Sequence, residues 1–92
     1  MGVRFEVVYH EKVVREDIPN IDRAWKKKIQ SAIEEKLMTN PEVYGKPLRR
    51  SLKGYRKLRV GDYRVVFRIQ SHRVLIFAIR HRSVVYEDLN ER

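Results

Sequence analysis

The second half of the chain contains three consecutive segments in which apolar and polar side chains alternate. The clearest covers residues 63–69, where every second residue is aromatic or aliphatic. Such alternation places the apolar side chains on one face of a β-strand. Residues 55–60 and 73–80 are further strand candidates, and turn-forming residues separate the three segments. Because short connections favour antiparallel pairing, this half of the chain is predicted to form a three-stranded antiparallel meander.

The first half has the pattern of one strand followed by two helices. Residues 3–9 alternate as a strand does, and residues 10–17 are predicted to form a short helix. A longer helix is predicted over residues 21–38, and the pair Asn40-Pro41 ends it. Its apolar residues recur at helical spacing and form one stripe: Ile21, Trp25, Ile29, Ile33 and Leu37. The two helices are expected to form a hairpin that packs on the sheet.

The segments that remain are polar and rich in turn formers. Residues 41–54 are predicted to form a loop, and residues 84–92 either a short helix or a frayed tail. The predicted fold class is therefore α+β, with an N-terminal strand, a two-helix hairpin, a three-stranded antiparallel meander and a short C-terminal segment. At 92 residues the chain is expected to be a single domain, residues 1–92.

The composition excludes several classes of protein. The chain has no cysteine, which rules out disulfide bridges and thiolate metal sites. Its three histidines, His10, His72 and His81, are isolated in the sequence, so neither a metal site nor a cofactor is expected. The apolar runs are too short to span a bilayer, and the N-terminus lacks an apolar signal-peptide core. We therefore expect a cytoplasmic protein with no membrane partner.

The net positive charge of the chain is confined to its second half. Residues 1–45 contain eight Lys/Arg and eight Asp/Glu and are neutral overall. Residues 46–92 contain thirteen Lys/Arg and four Asp/Glu, so they account for the whole net charge of +9. A strand-rich segment with this charge predicts a surface that binds a polyanion, and RNA or DNA is the first candidate.

The alternation also predicts which side chains share a face of the sheet. Two sets are expected to face the helices: Leu58, Tyr63, Val65, Phe67 and Ile69 from the first two strands of the meander, and Leu75, Phe77 and Ile79 from the third. The cations between them would then share the opposite, open face: Lys57, Arg59, Arg64, Arg68 and Arg80. Because opposed residues on antiparallel strands lie about 5 Å apart, several of these cations are expected to converge on one phosphate.

Two stretches of sequence resemble a known toxin family. The segment PLRRSLKGYRKLRVGDYRVVFRI covers residues 47–69, and RHRSVVY covers residues 80–86. Both resemble the RelE/ParE toxin superfamily of toxin–antitoxin systems, and the predicted order of elements is similar over the whole chain. Members similar to RelE cleave mRNA in the ribosomal A site, whereas members similar to ParE inhibit DNA gyrase. The RHRSVVY ending is more similar to RelE, which implies an mRNA interferase.

The resemblance implies roles for particular residues. Arg64 matches the arginine that contacts the scissile phosphate, and Arg80 matches a general acid or charge stabiliser. Tyr86 matches a tyrosine that stacks on the substrate base and orients the 2′-hydroxyl. Lys57 lies in the strand in which RelE-like toxins usually have two lysines that act as base and charge clamp. Since this strand has only one lysine, His81 is a second candidate acid or base, because histidine exchanges protons near neutral pH.

Seven further cations of this half are expected to position the protein on RNA phosphates, with little dependence on sequence. They are Arg56, Arg59, Arg68, Arg82, Lys53, Arg49 and Arg50. Without the resemblance, Arg64 and Arg80 would more often be interpreted as solvated charges on the face of a strand. The expected partners are the ribosome with its mRNA and rRNA, and an acidic RelB-like antitoxin. We expect the free toxin to be monomeric and its complex with the antitoxin to be oligomeric.

Two alternatives to an mRNA interferase remain open at this stage. One is a gyrase inhibitor similar to ParE, which acts through protein contacts and has no active site. The other is an RNA-binding or ribosome-binding member that does not cleave, which the single lysine of the strand favours. Loss of toxicity on substitution of Arg80 or Tyr86 would argue against the gyrase alternative.

Overall fold

A five-stranded β-sheet forms the centre of the computed structural model, which describes residues 4–48 and 52–92. The strands in chain order are β1 (Glu6–Tyr9), β2 (Lys46–Pro47), β3 (Arg56–Val60), β4 (Tyr63–Gln70) and β5 (Arg73–His81). Their order across the sheet is β1-β5-β4-β3-β2. Strands β3, β4 and β5 are the predicted antiparallel meander. The predicted first strand, 3–9, contains β1, and its first residue lies outside the described part of the chain.

Helical segments cover one face of this sheet. A π-helical segment (Val13–Asp17) continues into a 3₁₀ turn (Ile18–Asn20), and helix α1 (Arg23–Ala32) continues as a second π-helical segment (Ile33–Leu37). These segments lie within or next to the two predicted helices. No helix within residues 4–48 or 52–92 has both the length and the apolar character needed to cross a membrane.

The main core lies between these helices and the sheet. Ile29, Ile33 and Leu37 of the predicted helical stripe are buried in it, and Trp25 packs against its rim. Leu58, Val65 and Phe67 face them from the sheet, with Tyr63 and Ile69 at the margin of the same cluster. The predicted helix-facing side chains of β3 and β4 therefore do face the helices.

The prediction for β5 is partly wrong because this strand contains an irregularity. Val66 is paired with Ala78, but the next residue, Phe67, is paired with Ile76, so that Phe77 is an extra residue on β5. A bulge of this kind reverses the alternation on either side of it. Val74 and Ile76 consequently face the helices, whereas Leu75 and Phe77 do not. Beyond the bulge Ile79 faces the helices as predicted.

The segment 41–54, predicted to be a loop, contains two short elements in its described part. Helix α2 (Pro41–Tyr44) begins at a buried proline, which suits the first turn of a helix because its missing N–H has no partner there. β2 then pairs with β3, with Lys46 opposite Lys57 and Pro47 opposite Arg56. Both elements depend on contacts with the rest of the fold, which local polarity does not reveal.

The second face of the sheet is not fully open, in contrast to the prediction. The C-terminal segment folds back over it as a series of turns and a 3₁₀ turn (Leu89–Glu91), and is neither a free helix nor frayed. Val85 and Leu89 are buried there against Val66 and Ala78. Leu48, Leu52, Tyr55 and Phe77 border this second, smaller core. Because the tail is largely polar in sequence, the burial of Val85 and Leu89 was not predicted.

Candidate active site

Three arginines lie side by side on the second face, one on each strand of the meander. Arg59 of β3 is opposite Arg64 of β4, and Arg64 is opposite Arg80 of β5. Opposed residues in a sheet have Cβ atoms about 4.5–5.5 Å apart, and like charges at that spacing are destabilising. The mutual repulsion within this arginine row (Arg59, Arg64, Arg80) therefore opposes folding. Guanidinium groups at this spacing are chemically suited to bind a phosphate, because charge-assisted bonds to phosphate oxygens are strong.

The side chain of Arg64 is held close to the turn between β3 and β4. Its Nη1 donates to the carbonyl oxygens of Gly61 at 2.8 Å and Tyr63 at 2.9 Å. Gly61 has a φ of 58°, and a Cβ at this position would overlap the ring of Trp25. The turn that positions Arg64 thus requires glycine for both its backbone conformation and its packing.

Arg80 is held by two groups from outside the sheet. Its Nε lies 3.6 Å from a carboxylate oxygen of Asp17, and its Nη1 donates to the carbonyl oxygen of Glu87 at 2.6 Å. Only 22% of its side chain is exposed. The Glu87 carbonyl belongs to the C-terminal segment, so movement of that segment would release a donor of Arg80 toward a ligand.

Asp17 is a buried carboxylate that sequence reasoning did not identify. Arg92 binds it through two bonds, Nη1 to Oδ2 at 2.6 Å and Nη2 to Oδ1 at 3.0 Å. The backbone N–H of Ile79 also donates to Oδ2 at 2.9 Å. Asp17 and Arg92 are 75 positions apart, so no local pattern could have revealed the pair. Together they fix the end of β5 that carries Arg80.

Lys57 lies beside the arginine row on the same face. It is opposite Val66 of β4 and Lys46 of β2, two positions before Arg59. Because β-strand side chains alternate, Lys57 and Arg59 project from the same side of β3. The structure therefore brings together Lys57, Arg59, Arg64 and Arg80.

Tyr86 lies next to this group on the C-terminal segment. The preceding residue, Val85, is buried on the second face, and the following residue, Glu87, accepts the hydrogen bond from Arg80. The backbone of Tyr86 is thus held on both sides while 45% of the residue remains exposed. An exposed tyrosine on a segment that contacts Arg80 is suited to stack on a nucleotide base.

His81 lies on the other face of the sheet. It is opposite Tyr63, the two rings being 5.8 Å apart, and its Nδ1 accepts a hydrogen bond of 3.2 Å from the backbone N–H of Ser83. It lines a cleft of about 280 Å³ that also contacts Asp17 and Arg80. The structure therefore separates His81 from Lys57 and Arg64, although it lies near the end of β5.

Three predicted RNA-binding arginines have structural contacts of their own. Arg56 donates to the carbonyl oxygen of Gly45 at 3.0 Å and so ties α2 to β3. The guanidinium of Arg68 lies 5.9 Å from the centre of the Tyr55 ring. Arg82 lies 3.7 Å from the carboxylate of Asp62 in the β3–β4 turn.

The remaining predicted contacts lie away from the arginine row or outside the described residues. Arg68 lies four positions from Arg64 along β4, a distance of about 13 Å, and the smaller core lies between them. Lys53 is exposed on the turn before β3, at the Arg68 end of the sheet. Arg49 and Arg50 lie outside the described residues. Within residues 4–48 and 52–92, no cluster of three or more His, Asp or Glu side chains could hold a metal ion.

Comparison with known proteins gives a family for this fold and site. The model of the ParE toxin of type II toxin–antitoxin systems, parDE, matches residues 8–86. Toxin RelE of Mycobacterium tuberculosis is 50% identical over 52 residues, which are 54% of each chain. The matched region therefore covers about half the length of this curated relative.

Solved structures extend the similarity to most of the chain. The toxin–antitoxin complex RelBE2 from M. tuberculosis has a chain that is 30% identical, with a TM-score of 0.80 and coverage of 88% of this chain and 94% of that one. YafQ from Escherichia coli shares the fold at 18% identity, with a TM-score of 0.59 and coverage of 90% and 99%. From these matches and the arrangement of its sheet, this chain belongs to the RelE/ParE superfamily of type II toxin–antitoxin toxins.

Proposed function

We propose that this protein is a ribosome-dependent mRNA endonuclease that inhibits translation in the cytoplasm. The observation that carries the proposal is the arginine row with Lys57 and the exposed Tyr86 beside it. Four cations at opposed or alternate positions of one sheet face can surround a single phosphate. Placing them together opposes folding, so a bound phosphate is the simplest reason for the arrangement.

The proposed reaction is attack of an RNA 2′-hydroxyl on the adjacent phosphate. This attack forms the bond between the 2′ oxygen and phosphorus, and the bond to the 5′ oxygen of the next nucleotide breaks. The products are a 2′,3′-cyclic phosphate and a 5′-hydroxyl. The 2′-hydroxyl loses a proton, the leaving 5′ oxygen gains one, and charge on the phosphorane oxygens is stabilised by donors placed in advance.

The positions of the side chains suggest a role for each. Arg64 and Arg59 would bind the non-bridging oxygens, and Lys57 would accept the proton of the 2′-hydroxyl. Arg80, once released from the Glu87 carbonyl, would stabilise charge near the leaving oxygen. Tyr86 would stack on a base and orient the 2′-hydroxyl. His81 would act in this reaction only if the RNA extends around the end of β5 to the other face.

The ribosome would supply what this small protein lacks. In-line attack requires the 2′ oxygen, the phosphorus and the 5′ oxygen to be aligned, and holding an RNA in that geometry removes a large part of the barrier. The sheet offers phosphate and base contacts on one side only. An mRNA already held in the ribosomal decoding site would need only these contacts to react.

Primer extension on a defined mRNA tests this proposal, with and without programmed ribosomes. We expect the wild type to cleave only with ribosomes. Arg64→Ala should reduce the cleavage rate by at least about 100-fold, as expected for loss of a donor to the developing charge. Arg73→Ala, which removes an exposed arginine of β5 whose side chain pairs with Glu6, is the matched control and should retain activity. Intact mRNA under all conditions would overturn the proposal.

A second candidate function is inhibition of DNA gyrase without catalysis. The description of the matching family, a ParE toxin, favours it. A supercoiling assay with purified gyrase distinguishes the two. Inhibition of gyrase that persists in Arg64→Ala and in Tyr86→Leu would establish the gyrase function, and RNA binding without cleavage or gyrase inhibition would indicate a non-catalytic member.

We also propose that an acidic antitoxin neutralises this chain. The solved relatives include toxins in complex with antitoxins, RelBE2 and DinJ–YafQ. A net charge of +9 favours association with a segment rich in Asp and Glu, which folds when it binds. Such a segment would cover the arginine row. Co-purification with the neighbouring gene product, followed by loss of cleavage in the complex, is the expected result.

A further inference from the structure

A cleft rich in cations lies at the edge of the sheet next to β2 and β3, beside the arginine row. Its cavity volume is about 320 Å³, within the range of small-ligand sites. We call it the edge cleft, and its lining is Lys36, Tyr44, Lys46, Lys57, Leu58, Arg59 and Arg64. The proposed cleavage reaction uses none of the first three of these residues.

The edge cleft exists because β2 is much shorter than β3. Only Lys46 and Pro47 pair with β3, so Leu58–Val60 have no strand on that side. The chain before β2 turns away at Gly45, and a Cβ there would overlap the ring of Phe67. Helix α2 can therefore approach the sheet closely and place Tyr44 at the wall of the opening.

The charge of the edge cleft is one-sided. Its five cations come from four separate elements, and no acidic side chain lines it. In the described part of the chain none of the five has an Asp or Glu partner within 4.0 Å, whereas Arg15, Arg73, Arg80, Arg82 and Arg92 each have one. Unpaired like charges gathered around one opening oppose folding, and a bound anion would remove that repulsion.

The edge cleft also contains an aromatic surface. Tyr44 is 45% exposed, and the ammonium group of Lys36 lies 5.5 Å from the centre of its ring. An exposed ring with cations around it is the combination that proteins use to bind single-stranded nucleic acid, since the ring stacks on a base and the cations bind the backbone. A simple inorganic anion would make no use of Tyr44.

We infer that the edge cleft binds a second ribonucleotide, with its base on Tyr44 and its phosphate at Lys36 and Lys46. This inference rests on the proposed function, because Lys57 and Arg64 line both the edge cleft and the proposed cleavage site. The RNA strand then crosses the sheet from Tyr86, over Arg64, to the β2 edge. The nucleotide belongs to the mRNA or to rRNA, which share this chemistry.

Binding of an RNA that cannot be cleaved tests the inference independently of catalysis. The probes are a fluorescent single-stranded oligoribonucleotide with 2′-deoxy sugars at the cleavage position, and vacant ribosomes without mRNA. Lys36→Gln/Lys46→Gln removes two cations from the edge cleft, and Lys12→Gln/Arg23→Gln removes the same charge from exposed positions elsewhere. Tyr44→Leu removes the ring, and Tyr44→Phe retains it.

We expect Lys36→Gln/Lys46→Gln to bind RNA at least about tenfold more weakly than the matched control at low salt. The slope of log binding constant against log salt concentration should fall in magnitude by about 1.4, the value for two lost contacts to a single strand. Tyr44→Leu should weaken binding at least about fivefold, and Tyr44→Phe should not. Loss on the free oligonucleotide assigns the site to mRNA, and loss on ribosomes alone assigns it to rRNA. Losses no larger than the control with both probes would overturn the inference.

The two proposals can fail separately. If wild type and variants bind RNA as expected but no mRNA is cleaved, the edge cleft stands and the nuclease proposal fails. If cleavage occurs but the variants bind and cleave like the control, the edge cleft is wrong and the nuclease proposal stands. In the cleavage assay a binding role predicts that Lys36→Gln/Lys46→Gln raises KM with little change in kcat.

Discussion

The two edges of the sheet share one geometric feature, an outer strand that is too short to cover its neighbour, but the exposed backbone is protected in different ways. At each edge the outer strand is shorter than its neighbour: β1 has four residues beside the nine of β5, and β2 has two beside the five of β3. Each long strand therefore extends past its partner. Unpaired backbone at a sheet edge is a liability unless it is covered or protected by charge.

The β1 edge is closed by a buried ion cluster. Where β1 ends, the carboxylate of Asp17 accepts the N–H of Ile79 at 2.9 Å, and Arg92 donates to the carbonyl of Phe77 at 3.1 Å. These two side chains take the place of a strand. Within the described residues, no buried side-chain nitrogen or oxygen lacks a hydrogen-bond partner.

The β2 edge is protected by unpaired cations instead of being closed. Lys46 lies beside Lys57 at the last pair of the ladder, and the edge cleft follows it. Charged side chains at an edge prevent pairing with another chain and leave room for a ligand. On the inference drawn above, the β1 edge serves stability and the β2 edge serves binding, which four substitutions can test.

Asp17→Ala should have the largest effect. It leaves the guanidinium charge of Arg92 buried without a carboxylate and the N–H of Ile79 without an acceptor, and removal of one member of a buried ion pair costs about 3–5 kcal/mol. The free energy of unfolding in urea measures it. Asp62→Ala is the control, because its pair with Arg82 is exposed and contributes at most about 1 kcal/mol. Equal losses in the two variants would show that the β1 edge is not closed by this cluster.

Gly45→Ala should destabilise the β2 edge by about 1–3 kcal/mol, because the added Cβ overlaps the buried ring of Phe67. It should also weaken RNA binding, since α2 and Tyr44 must move outward. A double-mutant cycle with Phe67→Leu checks the cause. The smaller side chain should offset part of the loss, and strictly additive effects would contradict the proposed overlap.

Lys46→Glu should separate stability from binding. A carboxylate among the cations of the edge cleft should raise the free energy of unfolding by up to about 1 kcal/mol at low salt, and this gain should shrink in 0.5 M salt, where the screening length is roughly 4 Å. RNA binding should decrease at the same time. At the other edge Arg73→Glu places like charges near Glu6 and should be slightly destabilising. A loss of stability in Lys46→Glu would contradict the one-sided charge of the edge cleft.

Tyr9→Phe should have the smallest effect on the free energy of unfolding, and only at high pH. Burial, and secondarily the carboxylate of Glu34, raises the pKa of the Tyr9 hydroxyl above its ordinary value of 10.0. Because the folded-state pKa is the higher one, this contribution to stability is complete below pH 10 and is lost as the pH rises through the folded pKa. Urea unfolding at pH 9 and 11 should show a smaller decrease for Tyr9→Phe than for wild type.

The differences between the sequence prediction and the structure have specific physical causes. The meander and the stripe of α1 were predictable because alternation and helical spacing are local patterns that one buried face imposes. The bulge beside Phe77 was not, because an extra residue in one strand is defined only by its partner strand. The short elements α2 and β2 were missed for the same reason, since the rest of the fold stabilises them.

In the candidate site too, some residues were predictable from the sequence and others were not. Lys57, Arg59, Arg64 and Arg80 were predictable as one group because strands with short turns bring alternate residues together on a known face. Asp17, Arg92 and Tyr44 were not, because they reach the site from elements far away in the sequence. The alternation within β5 was correct for Ile79 and Arg80, yet it could not show that Arg80 is held by Asp17 and by the carbonyl of Glu87.

The sequence by itself determined the α+β class, the antiparallel meander, the basic face and the family, since each depends on local periodicity, composition or short motifs. Only the tertiary structure decided how the two sheet edges end, which cations remain unpaired, and that the C-terminal segment covers part of the basic face. Those features depend on the lengths of neighbouring strands and on contacts between residues up to 75 positions apart. Such contacts form where the whole chain satisfies its buried polar groups, and no segment encodes that outcome alone.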